Sequence, residues 1–349
     1  MKALILAGGL GTRLYPLTWG RPKSMVPLAN RPFLARMLCW LRGHGITEAI
    51  LALNHLPQMI SAQFGDGRAL GIRLQYLLEE EPLGSGGAIK NAAHLLGNER
   101  FLVLNGDIFT DLDLGRMISF HASRRAQMSI SLAWVAEPSA YGVVDMEADG
   151  RLRRFVEKPA AGEAPSNYIN AGAWLFEPEM LAKMPPRGTP FSVEREFWPQ
   201  SLEAGVPMFG YPGNCYWMDI GTVPRYLQAH LDLLKGEIAV ELEEVEQAPG
   251  IWIGAGAKVH QKAKVLAPVI IGAGCEIGRE AELTQAVIGP GTVVEEAAGV
   301  RNSVLWEQVR IGPGAQVANS VIGARQDLAG GELLQQAALE DRGAGAPGQ

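Results

Sequence analysis

Residues 6–14 read LAGGLGTRL, and this stretch decides how the first half of the chain folds. A short apolar strand, residues 3–7, runs into a loop whose glycines leave backbone N–H groups uncovered. Arg13 and, further along the loop, Lys23 add two positive charges. Successive uncovered N–H groups and nearby cations attract phosphate oxygens. The stretch therefore predicts an anion-binding loop, although it lacks the third glycine of a dinucleotide-binding loop and the Gly-Lys-Ser/Thr of a P-loop.

Composition limits the class of protein. At 349 residues the chain is expected to form two domains. A hydrophobic fraction of 47% and a net charge of −6 are typical of a globular protein that is not a general nucleic-acid or membrane-surface binder. The three cysteines are scattered and odd in number, which predicts a reducing compartment. Because no run approaches the ~20 apolar residues that cross a bilayer, we expect a cytoplasmic protein.

Strand-like and helix-like segments alternate over residues 1–235. The predicted strands are residues 3–7, 49–53, 73–78, 101–105 and 127–135, and the predicted helices are residues 33–41, 57–64, 86–96 and 114–121. Such alternation predicts an α/β fold, a Rossmann-like mixed sheet with helices on both faces. Ligands bind such sheets beyond the carboxyl ends of the strands. We therefore expect the loop at Gly8 to face the same crevice as Asp107, which follows strand 101–105.

A six-residue period replaces this alternation in the second half. Apolar residues recur every six positions with a few slips, and several precede a glycine. These residues are Ile253, Val259, Val265, Ile271, Ile277, Leu283, Ile288, Val294, Val300, Ile311, Val317 and Ile322. The period predicts a parallel β-helix in which each hexapeptide forms one face of a triangular coil. Because a β-helix presents a long rigid flank, we expect contacts between copies in a homo-oligomer.

The change of period divides the chain. We predict a catalytic domain over residues 1–235, a linker over 236–249, a β-helix domain over 250–323 and a tail over 324–349. Five glutamates within residues 237–247 predict a solvated connection. The tail is rich in Gly, Ala and Gln and is predicted to be loose or disordered, with one short helix at residues 333–339.

Two aspartates are the candidate metal ligands. Asp107 comes directly after a predicted strand, and Asp219 lies in the stretch WMDIGT, residues 217–222. Mg²⁺ is usually held by one or two carboxylates together with phosphate oxygens, so the pair predicts a magnesium site that a nucleotide completes. Each aspartate alone also fits a structural role, a helix cap near Leu114 for Asp107 and a turn for Asp219.

A second set has the chemistry of a sugar phosphate site. Lys158 can neutralise a phosphate and Glu157 can accept hydrogen bonds from sugar hydroxyls, although a lone Glu-Lys-Pro is more often a surface ion pair. Asn170 supplies an amide. Gly142 and Gly172 permit the close approach of a polyol.

Taken in order, these residues resemble the sugar-nucleotide pyrophosphorylases, a nucleotidyltransferase family. The likeness covers nearly the whole chain, including the left-handed hexapeptide β-helix that many members carry. It implies Mg²⁺ at Asp107 and Asp219, and catalytic roles for these two residues with Arg13 and Lys23. It implies nucleotide binding by Leu6, Ala7, Gly8, Gly9, Gly11, Thr12, Arg13, Lys23, Glu79, Pro82, Gly84 and Asp107. It implies sugar-phosphate binding by Gly142, Glu157, Lys158, Asn170 and Gly172.

Within the family the likeness is greatest to the branch that transfers guanylyl groups from GTP to mannose 1-phosphate. Glu79 stands where thymidylyl and uridylyl relatives typically carry glutamine. An ionised carboxylate only accepts hydrogen bonds, and guanine offers two donors, so Glu79 favours GTP unless it is one charge in a solvated acidic turn. The stretch SGGAI at residues 85–89 resembles instead the heptose-1-phosphate guanylyltransferases, which leaves the sugar open.

The implied reaction is in-line attack of the sugar phosphate on the α-phosphorus of GTP, with release of pyrophosphate. Because a phosphate monoester has a second pKa of ~6, the attacking group is largely ionised and no protein base is expected. Catalysis then comes from positioning and charge neutralisation. Three alternatives stay open: uridylyl or thymidylyl transfer to glucose 1-phosphate, a non-catalytic regulatory subunit that binds nucleotide sugars, and acyl transfer by the β-helix with His260 as base.

Overall fold

The computed structural model describes residues 1–342, which form two compact units. The sheet unit comprises Met1–Gly9 and Met37–Trp217. The β-helix unit comprises Leu10–Arg36 and the chain from Met218 onward. The loop that carries Arg13 and Lys23 therefore groups with the second half of the chain, which the sequence did not predict.

The first part of the chain alternates strands with helices, as predicted. Its strands are β1 (Lys2–Leu6), β2 (Pro27–Leu28), β3 (Arg31–Pro32), β4 (Glu48–Leu53), β5 (Arg73–Leu78), β6 (Phe101–Asn105), β7 (Ile108–Thr110), β8 (Met128–Trp134), β9 (Gly142–Met146), β10 (Leu152–Glu157), β11 (Tyr168–Phe176), β12 (Met208–Pro212) and β13 (Trp217–Asp219). The helices are α1 (Phe33–Gly43), α2 (Pro57–Phe64), α3 (Gly84–Asn91), α4 (Ala93–Leu96), α5 (Leu114–Ser123), α6 (Met180–Lys183), α7 (Trp198–Glu203) and α8 (Val223–Lys235). The predicted strands and helices are confirmed to within two residues, except that the helix predicted at residues 86–96 is two helices, α3 and α4.

One nine-stranded mixed sheet organises the sheet unit. Its main path runs β10-β9-β11-β6-β1-β4-β5, and β8 pairs with both β11 and β12. Strands β6, β1, β4 and β5 are parallel, whereas β11 is antiparallel to β6. The carboxyl ends of the four parallel strands therefore lie at one edge of the sheet, and β11 begins at that edge.

The second part of the chain is a parallel β-helix, as predicted. Its strands are β14 (Val245–Ala248), β15 (Ile251–Ile253), β16 (Lys258–Val259), β17 (Lys264–Ile271), β18 (Glu276–Ile277), β19 (Glu282–Ile288), β20 (Val293–Val294), β21 (Gly299–Leu305), β22 (Arg310–Ile311), β23 (Gln316–Ala318), β24 (Val321–Ile322), β25 (Asp327–Leu328), β26 (Leu333–Gln335) and β27 (Ala338–Leu339). Nine of the twelve predicted repeat residues, from Ile271 to Ile322, are buried in its interior, and the first three pack against that interior.

The pairing register explains the slips in the six-residue period. Lys258 pairs with Glu276, which is 18 residues later and equals three hexapeptides. Later coils are one residue shorter, since Ser320 N–H donates to Ser303 Oγ across 17 residues. One side of each later coil therefore has five residues instead of six. The apolar residues of neighbouring coils stay in register although their spacing in the sequence changes.

Helix α8 covers one face of the β-helix. It lies against β17, β19 and β21. Ile270, Val287 and Val304 on these strands are at most 2% exposed although they do not belong to the interior cluster. Their burial shows that α8 is packed onto the coil by an apolar surface.

The predictions for the linker and the tail need correction. Residues 237–247 are mostly exposed, as predicted, but Glu244 is buried and β14 begins within the segment. The β-helix continues past residue 323, because β25, β26 and β27 pair in register with the preceding coils. The helix predicted at residues 333–339 is wrong, since β26 and β27 occupy that stretch as strands of a further coil. The last part of the predicted tail, residues 343–349, lies outside the described residues.

Within residues 1–342, no helix combines the length and the apolar composition that crossing a membrane requires.

Candidate active site

The end of β1 is packed closely against its two neighbouring strands. Ala7 N–H donates to Ala52 O at 3.0 Å, and Gly106 N–H donates to Leu6 O at 3.0 Å. A Cβ atom on Gly106 would lie 2.8 Å from Leu6 O, a distance that no real Cβ atom tolerates. Glycine is therefore required there, and the half-buried Asp107 follows it at the carboxyl end of β6.

Asn54 connects the Gly8 loop to the segment after β5. Its Nδ2 donates to Glu79 O at 2.8 Å, and Glu79 N–H donates to Leu53 O at 2.8 Å. A Cβ atom on Gly8 would touch Asn54 at 3.4 Å, whereas Gly9 has open space around it. The ends of β1, β4 and β5 are thus joined, with Glu79 beside the glycine loop.

The Glu79 carboxylate has an acceptor that no described residue uses. Burial raises the pKa of this carboxyl above its ordinary value, and a hydrogen bond from the backbone of Leu83 offsets part of the rise. Its Oε1 is buried and has no hydrogen-bond partner among residues 1–342. A buried acceptor without a donor is costly, so a ligand that brings N–H donors would stabilise this arrangement.

The glycines after Pro82 pack the start of α3 against another segment. Gly86 and Gly87 N–H both donate to Phe191 O, at 3.0 and 3.3 Å. Gly84 has a φ of +71°, and a Cβ atom on it would lie 2.6 Å from the same carbonyl oxygen. These contacts explain the glycine run by packing, because the first N–H groups of α3 already have an acceptor.

The start of β11 brings an amide and a glycine to the carboxyl end of β6. Gly172 has a φ of +77°, and a Cβ atom on it would lie 2.9 Å from Asn105 Nδ2. Asn170 Oδ1 accepts hydrogen bonds from Gly172 N–H at 3.0 Å and from Trp174 Nε1–H at 2.8 Å. The Asn170 oxygen is thus occupied by the fold, and its Nδ2 is the group that remains for a ligand.

Glu157 lies opposite Gly142 in the β9–β10 pair. A Cβ atom on Gly142 would lie 2.8 Å from Glu157 Oε2, so glycine makes room for this carboxylate. Burial and the neighbouring Glu194 raise the pKa of Glu157, while Lys158 and Arg195 lower it in part. The carboxylate is therefore an acceptor in a partly desolvated position, suited to hydroxyl donors.

Lys158 follows Glu157 in a backbone conformation that favours glycine. Its φ is +50°, and its N–H donates to Tyr141 O at 2.9 Å. The side chain is exposed. The exposed ammonium group is therefore available to a ligand, and the role predicted for Lys158 stays a prediction.

In the β-helix unit, Gly11 and Lys23 lie side by side. Gly11 has a φ of +67°, and a Cβ atom on it would lie 3.0 Å from Lys23 Cβ. The Gly11 carbonyl accepts hydrogen bonds from Leu14 N–H and from Thr18 Oγ1–H, each at 2.9 Å. Thr12 and Arg13 fall within the short turn Thr12–Leu14.

The side chains of Arg13 and Asp219 both lie beside Gly221 in the same unit. A Cβ atom on Gly221 would lie 3.0 Å from Arg13 Nη2 and 2.5 Å from Asp219 Oδ1. Asp219 Oδ2 also accepts a hydrogen bond from Arg225 Nη1 at 3.2 Å. Gly221 therefore provides the space in which the guanidinium and the carboxylate approach each other.

The predicted site residues divide between the two units. The sheet unit holds Leu6, Ala7, Gly8, Gly9, Glu79, Pro82, Gly84, Asp107, Gly142, Glu157, Lys158, Asn170 and Gly172, and the β-helix unit holds Gly11, Thr12, Arg13, Lys23 and Asp219. Sequence reasoning missed Arg225 and Glu194. Neither lies in a recognisable motif, because their contacts arise from the packing of α8 and of residues 192–194.

Two family assignments together span most of the chain. The Nucleotidyl transferase family matches residues 2–236, and the GMPPB C-terminal domain matches residues 248–339. This chain belongs to the nucleotidyl transferase family. The predicted family and the predicted enzyme class, nucleotidyl transfer, are confirmed.

Several relatives of this nucleotidyl transferase carry informative names. A mannose-1-phosphate guanylyltransferase of Mycobacterium tuberculosis is 38% identical over 84% of this chain and 81% of that protein. A UTP–glucose-1-phosphate uridylyltransferase of Synechocystis is 33% identical over 98% of this chain and 92% of that protein. The crystal structure of HddC from Yersinia pseudotuberculosis complexed with GMP-PN has a TM-score of 0.56 and 31% identity, and it covers 65% of this chain and 97% of HddC.

Nucleotidyl transferases generally use a divalent metal ion, and carboxylates of the kind that bind one occur in each unit of this chain. Asp107 and Asp219 are half-buried carboxylates with hard oxygen donors. Within residues 1–342, no three His, Cys, Asp or Glu side chains are grouped so as to hold a metal by themselves. Mg²⁺ in nucleotide enzymes needs no such group, because substrate phosphates and waters supply its remaining ligands.

Proposed function

We propose that this nucleotidyl transferase transfers the guanylyl group of GTP to mannose 1-phosphate, giving GDP-mannose and pyrophosphate. The unsatisfied Oε1 of Glu79 carries the choice of GTP. Guanine has two donors on its Watson–Crick edge, N1–H and the 2-amino group, whereas uracil and thymine have one donor between two acceptors. A carboxylate, which only accepts, complements guanine better. The relatives named mannose-1-phosphate guanylyltransferase support the choice of sugar.

The chemistry assigned to the chain is in-line displacement. An oxygen of the sugar phosphate forms a bond to the α-phosphorus of GTP as the bond from that phosphorus to the β-phosphate oxygen breaks, and pyrophosphate leaves. Arg13 stabilises the charge that develops on pyrophosphate, and Lys23 holds the α-phosphate region. Lys158 neutralises the incoming sugar phosphate, and Glu157 accepts from sugar hydroxyls. Catalysis by positioned charge is the general strategy of phosphoryl transfer.

The metal proposed for this reaction is Mg²⁺. Asp107 and Asp219 would hold it, and when bound it neutralises charge on the nucleotide phosphates. Asn170 Nδ2, Gly142 and Gly172 are assigned to the sugar, with Asn170 as the donor that complements the acceptor Glu157.

Uridylyl transfer to glucose 1-phosphate is the second candidate. The Synechocystis uridylyltransferase aligns with nearly the whole chain, which favours this alternative. It requires Glu79 to serve a pyrimidine, whose acceptors would face the carboxylate.

A substrate panel tests the proposal. Purified protein with Mg²⁺ is incubated with each of GTP, ATP, UTP and dTTP, combined in turn with mannose, glucose and heptose 1-phosphates, and pyrophosphate release is measured. We expect the largest kcat/KM for GTP with mannose 1-phosphate. Preference for UTP or dTTP overturns the role of Glu79, preference for a heptose 1-phosphate overturns the sugar, and no release from any pair overturns the enzyme proposal.

The domain limits and the biological setting are also proposals. We propose that residues 1–235 form the catalytic domain and that the β-helix supports a homo-oligomer. We also propose a cytoplasmic location, which the scattered free cysteines support.

A further inference from the structure

The Leu10–Arg36 segment, which carries Arg13 and Lys23, is fastened to the β-helix at Arg21. Arg21 Nε donates to Asp341 Oδ2 at 2.7 Å, and its Nη2 donates to Glu307. The Arg21 guanidinium also lies over the ring of Trp306, 4.9 Å from the ring centroid. The Arg21 side chain is 16% exposed and that of Asp341 is 1% exposed. One arginine therefore joins the segment to two coils of the β-helix in a largely water-excluded position.

A second buried connection runs through Tyr226. Trp306 Nε1–H donates to Tyr226 Oη at 3.0 Å, and the Tyr226 hydroxyl donates to Pro27 O. Tyr226 and Trp306 are at most 1% exposed. The Tyr226 hydroxyl thus accepts one hydrogen bond and donates another. These two bonds fix the distance between Trp306 of the β-helix and Pro27.

Two more residues of the segment have contacts in the same unit. Asn30 Nδ2 donates to Glu244 Oε1 at 2.8 Å and to Ile288 O at 3.1 Å. Arg36, which is 7% exposed, donates to Leu28 O at 3.1 Å and to Glu241 O. The segment is thus held at four places along its length, although it has little regular secondary structure of its own.

We propose that the β-helix positions the nucleotide-binding loop through Arg21 and Trp306, so that it contributes to nucleotide affinity. Arg21 and Trp306 are positioning residues that act through Arg13 and Lys23 and do not themselves touch the substrate. The inference rests on the proposed function, since it takes Arg13 and Lys23 to bind the triphosphate. It assigns the β-helix a part in the reaction beyond a structural or oligomerising role.

The physical consequence is a change in nucleotide affinity. An anchored segment keeps Arg13 and Lys23 in the competent arrangement before the nucleotide arrives. When the anchor is removed, only a fraction of molecules is competent, and the apparent dissociation constant rises by the inverse of that fraction. Saturating nucleotide shifts the population back to the competent arrangement, so the turnover number changes little.

The test is steady-state kinetics of Arg21→Met in the full-length protein. We expect KM for GTP to rise about tenfold while kcat and KM for the sugar phosphate stay within about twofold, as for a competent fraction of about one tenth. Glu307→Gln removes the charge of a partner that is 29% exposed, so this variant should fold even if Arg21→Met does not, and its KM for GTP should rise in the same direction. Equal losses of kcat, or an unchanged KM for GTP in both variants, overturn the proposal.

Glu295→Gln is the matched control. Glu295 pairs with Arg310 at 2.6 Å on the same β-helix, and among residues 1–342 neither side chain has a hydrogen bond or ion pair with the segment. This variant should leave KM for GTP unchanged. A rise equal to that of Glu307→Gln would mean that any broken ion pair in the β-helix has the same effect, and it would overturn the specific role of Arg21.

Hydrogen exchange separates this inference from the proposed function. In Arg21→Met, we expect faster amide exchange in residues 11–26 and unchanged exchange in β19 and β21. If the unaltered protein releases no pyrophosphate from any nucleotide, the proposed function fails and the exchange result alone decides the anchoring. Unchanged exchange in residues 11–26 overturns the anchoring whatever the activity.

Discussion

At the scale of single residues, Gly221 is a position where a substitution should change the candidate site more than it changes the stability of the fold. A Cβ atom there would push on the ends of two flexible side chains, Asp219 Oδ1 at 2.5 Å and Arg13 Nη2 at 3.0 Å. Such atoms can move aside, so the backbone need not shift. Position 221 thus controls where a carboxylate and a guanidinium point.

Gly221→Ala should lower kcat at least tenfold while the melting temperature falls by only about 2–4 °C, the shift that a loss of ~1 kcal/mol gives in a domain of roughly 150–250 residues. Turnover and thermal unfolding are measured on the same preparation. Gly43→Ala is the control, because nothing lies within 4 Å of the Cβ position there. Wild-type turnover in Gly221→Ala would contradict the roles given to Arg13 and Asp219.

Glu79→Gln tests base selection. Glutamine brings an N–H donor as well as an acceptor, so the site should accept pyrimidine bases better and guanine worse. We expect the ratio of kcat/KM for GTP to that for UTP to fall at least tenfold, about the 1.4 kcal/mol that one hydrogen bond contributes. Glu80→Gln, at the exposed neighbour, is the control. An unchanged ratio would show that Glu79 does not contact the base.

Individual site residues differed in how well the sequence could predict them. Arg13, Lys23 and Asp219 belong to sequence motifs, and the residue types in these motifs have the charges that bind phosphate or a metal ion. They could therefore be predicted from the sequence. Arg225 and Gly221 act through distances between side chains, which no pattern of residue types encodes. The grouping of Arg13 with Asp219 therefore needed the structure.

At the scale of elements, the start of α3 shows how a glycine run serves packing. Gly86 faces the ring of Phe191 so closely that a Cβ atom would lie 2.1 Å from it. The ring is 6% exposed and belongs to the core of the sheet unit, so it cannot simply move into solvent.

Gly86→Ala should therefore lower the free energy of unfolding by about 1–3 kcal/mol, the usual cost of overpacking a core. Urea denaturation measures the loss. The smaller side chain of Phe191→Leu should relieve the clash. The double variant should therefore lose less free energy of unfolding than the two single variants lose together. Additive losses would mean that the ring and Gly86 do not interact.

Element types were predictable, but coil length was not. The alternation of strand-like and helix-like segments identified the sheet and its helices, and the six-residue period identified the β-helix. The change from 18 to 17 residues per coil obscured the last coils, where Ala315 and Ala324 are fully buried in place of larger residues. Small residues carry little periodic signal, so the sequence pointed to a tail where the coil continues.

At the scale of the whole molecule, each unit contains a buried histidine that resists protonation. Burial lowers the pKa of His121 to about 4, with Arg100 adding to the effect and Glu177 opposing it. Burial also lowers the pKa of His230 to about 4. His230 Nε2 accepts from Ala29 N–H at 3.2 Å, a bond that protonation would break.

Stability should therefore fall as the pH drops from 6.5 to 4. In this window the histidines are protonated in the unfolded chain but stay neutral in the folded protein. The free energy of unfolding therefore decreases with decreasing pH, by on the order of 2–3 kcal/mol for each histidine. Urea denaturation at several pH values measures the slope. His121→Asn should flatten it, and the exposed control His94→Gln should not. An equal slope in His121→Asn would contradict the assignment.

The anchoring of Arg21 also has a consequence for synthesis. Its partners Glu307 and Asp341 emerge 286 and 320 residues after it. At a translation rate of about 5–20 residues per second, Glu307 and Asp341 are synthesised roughly 15–60 s after Arg21. The Rossmann-like sheet has all of its strands long before that, so folding from the N-terminus forms the Arg21 contacts of the segment last. A prematurely terminated chain that lacks the final coils would keep a folded sheet and a segment without its Arg21 contacts. Under the anchoring proposed above, such a chain would bind nucleotide more weakly than the full-length protein.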